Sequence, residues 1–202
     1  MSIAVAVRKR GHIVVAADSQ ESFGDRRVLR DNHSASKIVR TGSSYIASTG
    51  WGVYDNILRD YLARGSRPRL GSERAVFAFF LTFWRQLHKR YQFVNDQVTE
   101  EDDPSPFADL DSSFLVANRT GIYYVSSNIS VMAFKKYYAI GSGASYALGA
   151  LHVLYDQGLG AEALARRACE AASAFDVSSG GDIDVQRVGV EGRRATTRTR
   201  SG

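Results

Sequence analysis

The chain has 202 residues, of which 44% are hydrophobic and 23% charged, a composition typical of one soluble globular domain with a substantial core. Its formal net charge of +5 would suit nucleic acid, but residues 191–202 hold four arginines and one glutamate, which leaves the rest of the chain near neutral and without a basic stripe. The longest apolar run, residues 75–84, is too short to cross a bilayer, so we expect neither a membrane protein nor a nucleic-acid partner.

The cysteine content and the first residues indicate the compartment. Three basic residues, 8–10, interrupt the first apolar stretch, so no secretory signal is predicted. Cys169 is the only cysteine and lies in a helical pattern, which predicts no disulfide, no metal cluster and no cofactor, and favours the reducing cytoplasm. We expect one domain over residues 1–190, followed by a disordered basic tail over residues 191–202.

The N-terminus is predicted to form a β-hairpin. Residues 2–7 and 12–17 alternate β-branched and small side chains, and the turn between them ends in Gly11, which tolerates a positive φ. A strand therefore begins at the very start of the chain, where chains usually fray. If Met1 is removed, Ser2 carries a free amine and a hydroxyl, which together form a base and a nucleophile.

The next part of the chain is predicted to form short strands and two helices. The patterns indicate irregular strands over 20–36, a hairpin of strands 37–40 and 44–49, a helix over 53–62 closed by Gly65, and a second helix over 72–91. The aromatic face of the second helix predicts core or a subunit interface rather than a ligand site. Residues 99–113 have no periodicity, so we expect a loop whose carboxylates are solvated rather than bound to a cation.

The second half of the chain repeats this alternation. We predict three strands over 114–117, 122–125 and 131–140, a helix that starts after residue 143 and ends near Gly158, a helix over 161–175, a turn over 176–181 and a last strand over 182–188. The predicted order along the chain is strands, two helices, strands, two helices and a last strand. This order indicates two antiparallel sheets covered by helix pairs. The expected fold class is therefore α+β, a four-layer αββα sandwich.

Several short motifs occur together in one order. They are a strand that starts at Ser2, the run 16–19 (Ala-Ala-Asp-Ser), Lys37 at a strand start, the run 48–50 (Ser-Thr-Gly), the run 140–147 (Ile-Gly-Ser-Gly-Ala-Ser-Tyr-Ala), and the run 176–180 (Asp-Val-Ser-Ser-Gly) before a strand. In this order the sequence resembles the N-terminal nucleophile (Ntn) hydrolases, specifically the proteasome β-subunit and the HslV-type protease subunit. The resemblance covers residues 2–188.

The resemblance implies a set of catalytic residues. They are Ser2, Asp18, Lys37, Gly50, Ser142, Asp176 and Ser179. In such a set the terminal amine takes the hydroxyl proton, Lys37 lowers the pKa values of both groups, and Asp18 keeps the lysine charged. Gly50 offers its N–H to the oxyanion, and the last three residues orient the amine.

Each of these residues also has a structural interpretation. Asp18 and Lys37 form a plain salt bridge in that case, and Gly50 serves as a turn between a strand and a helix. Ser142 would be a helix N-cap, while Asp176 and Ser179 would form a turn. Catalytic and structural roles are compatible, because a cap residue already lies beside a strand end.

The same family resemblance also implies a substrate pocket. Its predicted lining is Ala35, Val39, Ser48 and Gly52, with Glu21 near its mouth. Small residues leave room for a bulky apolar side chain, so we hypothesise that Leu or Phe is preferred at the position before the cleaved bond.

The predicted nucleophile is a serine, whereas the family most often has threonine at this position. Because serine lacks the methyl group that restricts the threonine rotamer, we expect lower activity. Activation is expected to depend on removal of Met1.

Members of the family act as homo-oligomeric rings on unfolded proteins or peptides, and a partner AAA+ ATPase is implied by resemblance alone. Two other functions remain open. One is a non-catalytic ring or scaffold subunit that retains Met1. The other is an Ntn amidohydrolase that acts on a small amide, for which a monomer or dimer is expected instead of a large ring.

Overall fold

We describe the fold from a computed structural model, which describes residues 2–24, 26–28, 33, 36–65, 67–91 and 110–189. Most of the predicted acidic loop and all of the predicted basic tail lie outside these residues, so both stay predictions. None of the helices in the described ranges is long and apolar enough to span a membrane.

The first sheet has four antiparallel strands in the order β10-β1-β2-β11. Its strands are β1 (Ala4–Lys9), β2 (His12–Asp18), β10 (Tyr137–Ile140) and β11 (Ile183–Arg187). β1 and β2 form the predicted hairpin, and Arg10 and Gly11 take φ values of 50° and 80° in its turn. Positive φ at both turn residues matches the right-handed twist of the paired strands. Because β1 is hydrogen-bonded on both sides, the sheet fixes the start of the chain.

The second sheet has five antiparallel strands in the order β5-β6-β7-β8-β9. Its strands are β5 (Ile38–Thr41), β6 (Ser44–Gly50), β7 (Ser112–Ala117), β8 (Ile122–Val125) and β9 (Val131–Phe134). The predicted hairpin of β5 and β6 is confirmed, with Ile38 paired with Ala47. Two short strands that lie between β2 and β5 along the chain, β3 (Glu21–Phe23) and β4 (Arg26–Val28), pair as a separate two-stranded ribbon.

The prediction of one strand over residues 131–140 was wrong. The segment forms two strands, β9 at the edge of the five-stranded sheet and β10 at the edge of the four-stranded sheet. Val131 pairs with Val125 of β8, whereas Ile140 pairs with Ala4 of β1. The apolar and aromatic residues of both halves, 131–134 and 137–140, suit either sheet, and the change of partner depends on contacts distant in sequence that a local pattern does not contain.

In the described part of the chain, four helices cover the sheets. They are α1 (Gly52–Arg64), α2 (Glu73–Arg90), α3 (Ala144–Leu154) and α4 (Ala161–Phe175). Buried side chains of α1 and α2 pack with those of the five-stranded sheet, including Phe80, Phe83 and Phe114. Those of α3 and α4 pack with the four-stranded sheet, and a third cluster joins the inner faces of the two sheets.

The aromatic helix is α2, and most of its apolar face is core. Val76, Phe80, Phe83 and Leu87 are fully buried, and the Ser72 hydroxyl caps the helix by accepting a hydrogen bond from the Ala75 N–H. The core interpretation of this helix is therefore confirmed for the residues that repeat at helical spacing.

Candidate active site at the N-terminus

A buried ion pair lies beside the start of β1. The Lys37 ammonium is 2.9 Å from Asp18 Oδ1 and donates a second hydrogen bond of 2.6 Å to the Gln20 carbonyl. Asp18 and Lys37 are 1% and 5% exposed. Both predicted residues therefore come together as the resemblance implies, although Asp18 ends β2 of one sheet and Lys37 precedes β5 of the other.

Backbone N–H groups complete the surroundings of the Asp18 carboxylate. Oδ1 accepts from the Ile3 N–H at 3.0 Å, and Oδ2 accepts from Gly180 at 3.0 Å and from Gln20 at 3.3 Å. A buried carboxylate is tolerated when a cation and several N–H groups offset its lost hydration. Since Ile3 directly follows Ser2, this carboxylate also holds the first residues of the chain beside Lys37.

A second polar group, formed by Ser142, Asp176 and Ser179, lies on the other side of Ser2. Asp176 Oδ2 accepts hydrogen bonds of 2.6 Å from both the Ser142 and the Ser179 hydroxyl, and Oδ1 accepts from the Ser178 N–H at 3.1 Å. Burial pushes the pKa of Asp176 upward, but these hydrogen bonds outweigh it and hold the pKa below its usual value. Asp176 is therefore an anion at neutral pH.

The two groups are joined through the 179–180 backbone and through Ser2. Ser179 bonds to Asp176 while the next residue, Gly180, donates to Asp18. The Ser2 carbonyl oxygen accepts from the Gly143 N–H at 3.5 Å and also lies 3.5 Å from Ser142 Oγ, whose proton is directed at Asp176. Ser2 is 4% exposed. The two polar groups therefore meet at the start of the chain, one through the Ile3 N–H and the other through the Ser2 carbonyl.

The N-cap interpretation of Ser142 was wrong. Helix α3 begins at Ala144 with Gly143 as its N-cap, and no side chain caps it. The Ser142 hydroxyl bonds to Asp176 instead. The turn interpretation of Asp176 and Ser179 holds beside their place in the site, because the Ser179 N–H also bonds to the Asp176 carbonyl at 3.1 Å.

Gly141 packs against Ser2, a contact the sequence analysis did not assign to it. Its φ is +104°, and a Cβ on this residue would lie 2.0 Å from the Ser2 carbonyl oxygen. Only glycine fits such a backbone contact. The signal in the sequence was the glycine before Ser142, but its role depends on how closely β10 approaches β1.

Gly50 ends β6 and directly precedes Trp51, the residue before α1. Its φ of +122° suits glycine alone, and a Cβ would lie 2.3 Å from the Asp111 carbonyl oxygen and 2.5 Å from Ser112 Oγ. The turn interpretation is therefore correct. The same absence of a side chain leaves the backbone open beside a cavity of about 530 Å³ whose lining includes Gly50, Ser112, Gly141 and Ser142.

We expect Gly50→Ala to destabilise the protein by more than about 2 kcal/mol, because the new methyl group meets backbone atoms and the φ is unfavourable for alanine. Urea unfolding followed by circular dichroism measures the change. Gly149→Ala is the control, since Gly149 lies within α3 and an added Cβ would have no atom within 4 Å. We expect this variant to be more stable than the wild type by about 0.5–1 kcal/mol in free energy of unfolding. Equal stability of Gly50→Ala and the wild type would contradict the close approach.

The predicted pocket residues that the structure describes belong to four elements, with Glu21 in β3, Val39 in β5, Ser48 in β6 and Gly52 in α1. Val39 and Ser48 are buried, Glu21 is partly exposed, and Gly52 is exposed at the first turn of α1. The Ser48 N–H donates to the Lys37 carbonyl at 3.2 Å, which connects the pocket to the buried ion pair. Ala35 lies outside the described residues, so its placement in the pocket stays a prediction.

Asp55 contacts the predicted pocket residue Ser48, and the sequence did not point to it. It lies in the first turn of α1, and its carboxyl oxygen Oδ1 accepts a hydrogen bond from the Ser48 hydroxyl. Burial raises the pKa of Asp55 to about 6, against the lowering effect of that hydrogen bond. The signal was an acidic residue three positions after Gly52 on a predicted helix, a pattern that also fits a solvent-facing helix start.

Comparison with solved structures places this geometry in a family. The chain is similar to BPH of Thiobacillus denitrificans in complex with epoxomicin, with 34% identity over 92% of this chain and 97% of that one and a TM-score of 0.83. It is also similar to BPH of the same organism solved without the inhibitor, with 34% identity over 92% of this chain and 96% of that one and a TM-score of 0.82. The eukaryotic HslV of Trypanosoma brucei shares the fold at 21% identity, 92% and 98% coverage and a TM-score of 0.62.

No protein-family model matches the chain. The 34% identity to BPH, over nearly the whole of both chains, nevertheless exceeds what a shared fold alone would produce. The neighbours are proteasome-family peptidases, whose mixed fold of antiparallel sheets and helices this chain has. The resemblance seen in the sequence is thereby confirmed, and the chain belongs to the proteasome β-subunit and HslV-type family of N-terminal nucleophile hydrolases.

Proposed function

We propose that this protein is a peptidase whose nucleophile is the hydroxyl of Ser2, exposed as the first residue by removal of Met1. The observation that carries the proposal is the convergence of two polar groups on Ser2, the buried Asp18–Lys37 pair on one side and the Ser142, Asp176 and Ser179 cluster on the other. A scaffold subunit does not need either group, since an apolar core of similar volume is at least as stable as a buried ion pair.

The terminal amine serves as the base. An α-amino group has a pKa of about 7.7–8.0, so a usable fraction is neutral at pH 7. The buried positive charge of Lys37 favours the neutral amine and the developing alkoxide, and the ion pair with Asp18 holds that lysine in place. The amine takes the proton from the Ser2 hydroxyl as the oxygen attacks, directly or through water.

The reaction then follows acyl transfer. The Ser2 oxygen forms a bond to the carbonyl carbon of the substrate, and the backbone N–H of Gly50 stabilises the negative oxygen of the tetrahedral intermediate. The carbon–nitrogen bond breaks, and the leaving amine takes the proton held by the terminal amine. Water hydrolyses the remaining ester and restores Ser2. Asp176, an anion bonded to Ser142 and Ser179, orients the terminal amine.

The assembly proposed for this chain follows the family. We propose a four-layer αββα subunit that forms a homo-oligomeric ring in the cytoplasm, degrades unfolded proteins or peptides, and pairs with an AAA+ ATPase. The outer side of α2 suits a ring contact, because Phe77 is 44% exposed and Phe79 and Trp84 are only partly buried. Sizing by light scattering separates a large ring from the monomer or dimer expected of a small-amide hydrolase.

The decisive experiment is the intact mass of the purified protein with and without epoxomicin, a peptide epoxyketone seen in complex with BPH of Thiobacillus denitrificans. We expect a mass that lacks Met1 and gains one inhibitor per chain. The adduct should disappear in Ser2→Ala and persist in Ser145→Ala, which removes an exposed serine of α3. A mass that retains Met1 and gains no inhibitor would overturn the proposal and favour the scaffold function.

A further inference from the structure

Exposed and half-buried cations gather at one end of the molecule, which we call the basic end. They come from the end of β1 and its turn, from the β7–β8 turn and from the β9–β10 connection, and they are Arg8, Lys9, Arg10, Arg119, Lys135 and Lys136. These three segments lie far apart along the chain. The sequence therefore shows no basic stripe, on which the expectation of no nucleic-acid partner rested, although the fold assembles one.

Backbone and ring contacts bring the segments of the basic end together. The Arg8 N–H donates to the Lys136 carbonyl at 2.7 Å, and the Arg8 guanidinium donates to the Thr120 carbonyl in the β7–β8 turn at 2.9 Å. The ammonium groups of Lys9 and Lys136 lie 4.1 and 4.9 Å from the centroid of the same Tyr155 ring. An aromatic ring attracts cations, so it stabilises two like charges close to each other.

The positive charge of the basic end is poorly neutralised. Arg8, Lys9 and Arg119 donate to carbonyl groups, which carry no net charge. In the part of the chain that the structure describes, the only ion pair of the basic end joins Lys9 to Asp156 at 3.9 Å, and the side chain of this aspartate is 85% exposed. An exposed pair of this kind contributes little. The surface therefore presents a concentrated positive potential, which attracts polyanions.

The C-terminal segment leaves the fold at the same end. The Arg119 guanidinium donates to the Gly189 carbonyl at 3.3 Å, and Gly189 is the last described residue. Residues 190–202 carry four further arginines and one glutamate, and they include no bulky apolar residue after Val190 that could enter a lipid surface. The chain thus enters its most basic segment from the basic end.

The basic end lies away from the proposed nucleophile. β1 ends at Lys9, so Ser2 and Lys9 are separated by roughly 20 Å along one extended segment. The anionic Asp176 lies at the Ser2 end, through its hydrogen bond with Ser142. A polyanion is therefore attracted to the end opposite the nucleophile and can bind there while Ser2 stays accessible.

We propose that the basic end binds the phosphate backbone of a double-stranded nucleic acid without sequence preference. Arg and Lys bind backbone phosphates of any sequence, and each neutralised phosphate releases counterions to the solution. A single strand would need aromatic rings on which its bases stack, but the Tyr155 ring already faces two ammonium groups. This function goes beyond the peptidase activity and does not depend on it.

The test measures the fluorescence anisotropy of a labelled DNA duplex of about 20 base pairs, and of an RNA duplex of the same sequence, titrated with the whole chain. For about four phosphate contacts, log Kd should rise with log salt concentration at a slope near 4, with little change for an unrelated sequence. Lys135→Gln combined with Lys136→Gln removes two exposed charges. It should lower the slope by about 2 and weaken binding about tenfold or more at about 0.1 M salt.

Lys89→Gln combined with Arg90→Gln is the matched control, since it also removes two neighbouring exposed charges. Helix α2 begins beside β9, where Glu73 accepts a hydrogen bond from the Ala133 N–H at 2.8 Å. Its last turn, which holds the control residues, lies about 25 Å further along the helix. The control variant should keep the affinity and the salt slope of the wild type.

Binding of either duplex with these effects supports the inference and identifies the nucleic acid. Failure of both duplexes to bind, equal effects of the two double variants, or binding to phosphatidylserine vesicles alone would overturn it. A wild-type salt slope below about 1 would do so without any substitution, so a variant that fails to fold does not protect the inference. Ser2→Ala should bind the duplex like the wild type, which separates this test from that of the peptidase function.

Discussion

Lys37→Met is expected to destabilise the protein by about 3–5 kcal/mol, because it leaves the Asp18 carboxylate buried without a cation. Three backbone N–H groups still bond to the carboxylate, but they do not replace a full charge 2.9 Å away. Urea unfolding monitored by tryptophan fluorescence gives the change in free energy. Arg167→Met is the control, since its pair with Glu170 is exposed and should contribute less than about 1 kcal/mol.

The same substitution separates catalysis from stability. At a temperature where circular dichroism shows Lys37→Met to be folded, we expect peptide hydrolysis to fall at least about a hundredfold, since the terminal amine loses its neighbouring cation. The remaining activity should rise at higher pH than in the wild type, because the pKa of the amine returns upward. A folded variant with wild-type activity and an unshifted pH profile would limit Lys37 to a structural role.

A single glycine left in front of Ser2 is expected to reduce kcat/KM for peptide hydrolysis by about 10²–10⁴-fold. The extension keeps the hydroxyl but converts the amine into a peptide N–H, whose nitrogen lone pair is delocalised into the carbonyl group and does not accept the proton. Two preparations, released from the same fusion protein either at Ser2 or one glycine earlier, form a matched pair. Intact mass verifies each N-terminus before the rates are measured.

Equal activity of the two preparations would show that another group accepts the proton, and would remove the amine from the proposed mechanism. In the preparation that begins at Ser2, kcat/KM should rise with pH up to a pKa at or below about 8, where the amine becomes neutral. The extended preparation should lack this step. Both should unfold at the same urea concentration, because the addition lies at the end of the chain.

Local patterns determined most of the secondary structure. Alanine and leucine recur at helical spacing between Gly160 and Asp176, and α4 occupies the predicted residues Ala161–Phe175. The first hairpin follows in the same way from alternation and from the glycine in its turn. These features depend on residues within a few positions of one another, which a sequence displays directly.

Tertiary contacts decided what each strand pairs with and which polar side chains meet. Residues 131–140 suggest one strand, yet they divide between two sheets, because β9 pairs with the preceding strand β8 whereas β10 pairs with β1 at the start of the chain. The hydroxyl of Ser142 precedes a helix and suggests a cap, but Asp176, 34 positions later, binds it.

The sequence alone indicated the family and the set of candidate catalytic residues, since the order and spacing of short motifs can be recognised without the fold. It did not determine the surroundings of Asp55. Asp55 is one acidic residue at a helix start until the fold buries it against Ser48 and raises its pKa. Burial and the distances between charges set that pKa, and both are properties of the tertiary structure alone.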